Sequence, residues 1–434
     1  MVSEVFPIWR YYAKARSVDF WQTHAMTSID LSDPKVFSRG IPHAAFTALR
    51  TEGPISRQYG IHTGREGYWC VTRHADVVAA NRDFEHLSPA PLGTMIFDRK
   101  ELLNPKTPRM LIEMDPPQHT RYRRLVNRGF TPRMIAMLET QMRAVARTVS
   151  DRANRLLDEN GEIDVVADIA AELPMQVIAA MLGIPEEDHD KMFALSQRII
   201  GFDDPESDNN GLPDGDAMMQ MYAYANTLGA KKREAMNGGI RTDDIVTALL
   251  DAEVDGEQLS ELEFDLFFLL LVVAGNETTR TAIAQGISYL FSNPDQWQRL
   301  LDDRSLVTTA VDEILRVATP IMYFRRTVIA NTEIGGVAVA KGDRVVLWYA
   351  SANFDEATFV DPQSFDVGRT PNDHVTFGGG GPHFCLGANL ARLEIRVMLE
   401  ELLDQMPTLG SAGAAVRGSS NFTNGLRQLP ARRK

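Results

Sequence analysis

The sequence predicts a mainly α protein with small β-sheets, an α+β domain built around one long central helix. Three observations carry that expectation. Helical periodicity dominates from about residue 134 to 318, with few strand signals inside it. Within that stretch Glu261 to Ser292 reads as one helix stopped by Asn293-Pro294, and at about 1.5 Å per residue it would reach on the order of 45–50 Å, enough to cross a whole domain. No break in composition divides the 434 residues. The chain therefore reads as a single domain, 31–434, behind a weakly structured leader, 1–30, although its length alone would accommodate two or three domains.

The remaining elements follow in order. Short β-rich pieces come first, such as Gly67-Tyr-Trp-Cys-Val-Thr72. Asp115-Pro-Pro-Gln-His119 starts a helix after its prolines and puts His119 and Arg123 on one face. After the helical region, Thr332 to Leu347 reads as a hairpin turning at Lys341-Gly-Asp343. Phe354 to Asn372 is an irregular loop, and Ala388 to Leu403 is helix-like. Leu409 to Ser420 reads as a small-residue linker, and Asn421-Phe-Thr-Asn-Gly425 as a final turn.

Hydrophobic residues make up 44% of the chain and charged residues 24%, as in an ordinary globular protein with ample core. The formal net charge of -13 argues against nucleic acid or an anionic membrane as partner. Two cysteines give no disulfide framework and fit a reducing cytoplasm. Charges and Pro7 interrupt the first sixteen residues, so no secretory apolar core is expected there. The longest apolar run, Leu266 to Ala274, is about half the length needed to span a bilayer. A cytoplasmic protein with no membrane span is expected.

One of the two cysteines, Cys385, stands in Phe377-Gly-Gly-Gly-Gly-Pro-His-Phe-Cys-Leu-Gly387, just before the helix-like stretch. A helix start offers unpaired N–H groups and positive dipole, which favour thiolate, either a nucleophile or a metal ligand. Four glycines let the backbone approach a large flat object without side chains in the way. Together these features suggest a haem held through sulfur. Cys70, in a strand-like apolar run, reads as a core residue.

The long helix contains Ala274-Gly275-Asn276-Glu277-Thr278-Thr279. Gly275 costs roughly 1 kcal/mol against alanine in a helix interior, so it needs a reason, and a ligand lying against that turn would supply one. Glu277 and Thr278 put an acid and a hydroxyl into an apolar segment, where they meet solvent, each other or a bound species; a polar cluster at a helix–helix contact reads equally well. Glu313 and Arg316 share a helix face at i and i+3, a common spacing that on its own reads as a solvated surface pair. His119 and Arg123 could serve carboxylates or simply make a basic surface.

The order of these pieces, ending in the glycine-rich cysteine loop, closely resembles the cytochrome P-450 family of haem-thiolate monooxygenases from about residue 45 to the C-terminus. The resemblance implies a triangular single-domain prism carrying haem b. It implies that Cys385 is the axial thiolate, that Glu277 and Thr278 deliver protons to dioxygen, and that His119, Arg123, Arg326 and His383 bind the haem propionates. It also implies that Glu313, Arg316 and Arg369 form a structural charge triad on the proximal side. One departure stands out: Phe377 lies eight residues before the cysteine where seven is usual.

Within the family the nearest resemblance is to soluble bacterial enzymes that oxidise methyl-branched lipids and steroid side chains at the chain end. It rests on strings such as Leu271-Val-Val-Ala-Gly-Asn-Glu-Thr-Thr-Arg280 and Phe377 through Arg396. It implies terminal hydroxylation of a hydrophobic substrate, with a terpenoid hydroxylase as near alternative and a non-catalytic haem-thiolate sensor as an alternative of another class. By the same analogy substrate meets Met95 and Phe97 in the Leu92–Phe97 loop, the Ile199–Met221 region, Val273, Ala274, Ile321 and Phe422. Electrons would come from a separate ferredoxin and ferredoxin reductase, docked at Arg121, Arg124, Arg128, Arg392 and Arg396.

Overall fold

A computed structural model describes residues 29–60, 63, 66–201, 214–254 and 256–434. The leader expected over 1–30 lies outside the described residues except for its last two positions, as does 202–213 of the Ile199–Met221 region.

Helices dominate the chain in the order α1 (His43–Glu52), α2 (His74–Arg82), α3 (Gln118–Asn127), α4 (Pro132–Asn160), α5 (Glu172–Leu182), α6 (His189–Ile200), α7 (Gly215–Asn237), α8 (Ile245–Leu250), α9 (Glu261–Ser292), α10 (Pro294–Asp302), α11 (Val307–Ala318), α12 (Tyr349–Ala352) and α13 (Ala388–Gln405). The long helix has the bounds its sequence predicts. Ser260 Oγ accepts from the Glu263 N–H at 3.3 Å while Glu263 Oε2 accepts from the Ser260 N–H at 2.9 Å, a reciprocal cap contributing about 1 kcal/mol. Helices α5, α6, α7, α11 and α13 pack around α9, which is why it is apolar on nearly every side. Phe268 in its first third is fully buried, and truncation of such a side chain to alanine costs about 3–5 kcal/mol.

A five-stranded sheet stands beside this helical core, made from β1 (Ile55–Gln58), β2 (Tyr68–Val71), β3 (Leu87–Ser88), β4 (Tyr323–Val328) and β5 (Arg344–Trp348), in the spatial order β1-β2-β5-β4-β3. Only the β2–β5 pairing is parallel. Alternation along the strands splits its side chains: Cys70, Val346 and Trp348 enter one apolar cluster, and Val71, Val345 and Leu347 another. Cys70 is a fully buried core residue, as its sequence context predicts.

Two expectations about the C-terminal third need correction. The hairpin of that region is Thr332–Ile334 against Val337–Val339, turning at Gly335-Gly336, both at positive φ; Lys341–Asp343 instead leads into β5, whose antiparallel partner is β4. The small-residue segment after 408 is no linker, because Leu409–Ser411 pairs with Pro430–Arg433. Short small-residue strands carry too little apolar alternation to declare themselves.

Candidate active site

The Cys385 segment is held as a rigid loop. All four glycines from Gly378 to Gly381 have positive φ, between 64 and 115°, which residues with a Cβ rarely adopt. A Cβ on Gly381 would also lie 2.4 Å from the Asn81 carbonyl oxygen of α2. The Cys385 N–H donates to the Phe377 carbonyl at 3.0 Å, so the eight-residue spacing closes on a backbone bond. The Phe377 ring packs under the Arg392 guanidinium at 4.6 Å and edge-on to Phe384. The Cys385 side chain is exposed at the lip of this loop. Its surroundings still push the thiol pKa up by desolvation, against the Gly387 N–H and the charges of Arg123 and Arg392. The helix-start N–H and the two arginines that favour thiolate are thus opposed by desolvation, and metal coordination would deprotonate this sulfur.

Above the loop, cation-capable side chains gather from three parts of the chain. His119 on α3 lies 4.3 Å, ring to ring, from His383. Arg123, one turn on, donates to the Pro382 carbonyl at 3.2 Å. Arg326 on β4 is buried and donates to the Arg325 carbonyl at 2.8 Å. Burial, then Arg123, pushes His119 down to about 4; burial, then Arg326, His119 and Arg123, holds His383 well below the ordinary histidine range. His383 Nε2 has no hydrogen-bond partner. Two arginines and two cation-capable imidazoles, one with an orphaned ring nitrogen, fit a bound dianion, and the two propionates of haem b supply one.

On α9, Ala274 is exposed and Val273 and Thr278 half-buried in mid-helix, while Leu271, Val272, Asn276 and Glu277 are buried. Ala274 and Thr278 are four apart, so this open strip is one face of the helix. Thr278 Oγ1 donates to the Ala274 carbonyl at 2.9 Å. Glu277 points away from it. Its carboxylate accepts from Arg280 Nη2 at 2.6 and 2.7 Å and from Gln197 Nε2 at 2.6 Å. The reading of Gly275 as room for a ligand is corrected: a Cβ there would sit 2.8 Å from Ile178 Cγ1, so helix packing between α5 and α9 demands the glycine.

Of the expected substrate contacts, Met95, Phe97, Ile321 and Phe422 come together in one apolar cluster with Met322, Tyr323 and Phe324. Val273 packs instead against the helical core. Glu313, Arg316 and Arg369 form the expected triad, and far from being solvated the first two are wholly buried: Glu313 accepts from Arg316 at 2.7 and 2.8 Å and from Arg369 at 3.0 Å. Among the proposed docking arginines, Arg392 is ion-paired with Asp312 and Arg396 with Glu139, while Arg121 and Arg124 are exposed.

Sequence reasoning missed three groups. Arg280 could have been found at i+3 from Glu277. Gln197, eighty residues from the glutamate it holds, leaves no local signal. Glu394, buried on α13 with a hydrogen bond to Thr279 and with Oε2 unpartnered, looks in sequence like any polar helix position.

A sulfur on a glycine-rich loop, beside groups that seek two carboxylates, suits a haem protein of the thiolate class. The chain belongs to the cytochrome P450 family, whose model matches residues 38–406. It is 39% identical to a steroid C26-monooxygenase of Rhodococcus jostii over 94% of this chain and 85% of that one. It is 41% identical to a methyl-branched lipid omega-hydroxylase of Mycobacterium tuberculosis over 89% of this chain and 90% of that one. A solved Mycobacterium marinum cytochrome P450 in complex with pseudoionone superposes with a TM-score of 0.85 at 36% identity, covering 95% of this chain and all of that one. The protein is thus a haem b-dependent monooxygenase with the α+β architecture of its family.

Proposed function

We propose that this enzyme hydroxylates the terminal carbon of a methyl-branched lipid or steroid side chain. The observation that supports this most directly is the apolar cluster of Met95, Phe97, Ile321 and Phe422, which offers hydrocarbon contacts. The relatives' named activities point the same way. Terminal methyl C–H bonds are the strongest in such a chain, so selectivity there must come from shape and positioning.

The haem, when bound, supplies dioxygen activation and insertion of one oxygen atom. Cys385 is assigned as its sulfur ligand. His119, Arg123, Arg326 and His383 hold its propionates, which answers the orphaned His383 Nε2. Thr278 Oγ1 is the proton-handling hydroxyl on the open strip of α9. Glu277, ion-paired to Arg280, is the carboxylate that exchanges protons behind it. Electrons arrive from a separate ferredoxin and its reductase in the cytoplasm, with the exposed Arg121 and Arg124 among the docking charges.

Spectral titration of the purified holoenzyme with 15-methylhexadecanoic acid, cholest-4-en-3-one and a monoterpene tests the reading. The lipid or the steroid should bind tighter than the monoterpene and give a terminal alcohol with redox partners. Tighter monoterpene binding would favour a terpenoid hydroxylase, a second reading supported by the pseudoionone-bound relative.

A further inference from the structure

We infer that Asp98 is a positioning residue for regioselectivity, through a two-arginine clamp that fixes the Met95–Phe97 segment against the sheet. The inference rests on the proposed lipid site and names what holds one wall of it in place.

Three side chains from distant parts of the sequence make the clamp. Arg325 on β4 and Arg344 on β5 lie on one face of the sheet, because Arg344 is opposite Thr327, two residues along from Arg325. Both cations reach the same carboxylate: Arg325 Nη1 stands 2.8 Å from Asp98 Oδ1, and Arg344 Nη2 stands 2.6 Å from Oδ2 with its Nε 3.0 Å from Oδ1. Arg325 is wholly buried, while the Asp98 and Arg344 side chains keep 13% and 14% exposure.

The same arginine grips the backbone of the segment. Its Nη1 donates to the Phe97 carbonyl at 3.1 Å and to the Met95 carbonyl at 3.5 Å, and its N–H donates to the Thr94 carbonyl at 2.8 Å. Tyr323 Oη accepts from the Ile96 N–H at 3.2 Å. The neighbouring Arg326 faces the other side of the sheet, toward His383, so this pair of adjacent arginines divides its duties.

Stability alone does not require this arrangement. A buried carboxylate between two arginines is an expensive way to hold a surface loop, and apolar packing would do as well. What the clamp adds is direction. It ties down the carbonyls of the two residues whose side chains enter the Ile321–Phe422 cluster and leaves those side chains half-buried. Neutralising Asp98 leaves two cations facing each other and releases the segment.

Holoenzyme variants Asp98→Asn, Asp98→Glu and Arg344→Gln test this. Hydrogen exchange at the Ile96 amide should accelerate at least about tenfold in Asp98→Asn, an opening worth about 1.4 kcal/mol. The ratio of terminal to in-chain alcohol from 15-methylhexadecanoic acid should fall several-fold, and affinity for 4-phenylimidazole should change while that for imidazole does not. Asp98→Glu should recover part of each effect. Arg344→Gln keeps one ion pair, serves if Asp98→Asn does not fold, and should shift all three readouts the same way by less. Faster exchange with an unchanged product ratio and unchanged phenylimidazole affinity would reduce the clamp to a structural brace and overturn the inference. Absence of terminal product from the unmodified enzyme, with the phenylimidazole shift intact, would overturn the lipid reading and leave the clamp standing.

Discussion

Glu394 carries the clearest pH signature of any single side chain outside the haem site. Burial on α13 pushes its carboxyl up to about 8, against one hydrogen bond from Thr279. A carboxyl harder to ionise folded than unfolded holds more protons in the native state, so stability is greatest at low pH and falls as pH rises from about 4 toward 8. Glu394→Gln should therefore leave the melting temperature nearly unchanged at pH 5 and raise it at pH 8.5, a gain on the order of 2–4 kcal/mol. An equal shift at both pH values would mean that packing and not ionisation sets the effect. Two substitutions probe the assigned chemistry. Cys385→Ser should abolish the thiolate-type spectrum of the reduced carbon monoxide complex, and its retention would sink the ligand assignment. Thr278→Ala removes a hydroxyl whose bond is to its own helix at Ala274, so fold and substrate affinity should survive while product per NADH drops on the order of tenfold. Unchanged coupling would exclude proton handling at that atom.

At the level of elements, legibility tracked locality. The bounds of α9 could be read because Ser260, Glu263, Asn293 and Pro294 act within a turn of its ends. The cysteine loop could be read because its glycines are consecutive. The Asp98 clamp joins residues more than two hundred positions apart, and the Glu277–Gln197 bond spans eighty, so neither leaves a pattern in a window of chain. Gly275 teaches the same lesson from the other side: the residue is visible, but the atom that demands it, Ile178 Cγ1, is on another helix. That contact predicts a change of sign. Gly275→Ala should destabilise the protein by about 1–2 kcal/mol through overpacking that outweighs its helix propensity. In an Ile178→Ala background the same substitution should stabilise by up to about 1 kcal/mol. Denaturant unfolding of the four proteins closes this cycle. A ligand-driven glycine would instead show weakened haem or substrate binding that Ile178→Ala does not repair.

For the whole molecule, haem is as much a structural partner as a catalytic one. His119 and Arg123 belong to α3, Arg326 to the sheet, and His383 and Cys385 to the loop before α13, so a cofactor held at the proposed residues would tie three separate parts of the fold together. A ligand bound only by the native state stabilises it by about 4 kcal/mol when present at a thousand times its dissociation constant. Without its propionates the same site crowds cations whose burial already disfavours their charge, Arg326 most completely. Arg326→Gln should then act with opposite signs on the two forms. It removes a propionate donor from the haem-loaded enzyme and lowers that melting temperature. It removes a buried charge, offset only in part by Asp115, from the haem-free enzyme and raises that one, each by roughly 1–3 kcal/mol. Thermal melts of both forms of both proteins measure the four values. A fall of equal size in the haem-free protein would mean that Arg326 works through its bond to the Arg325 carbonyl, as an ordinary structural residue of β4, and not as part of an anion cradle.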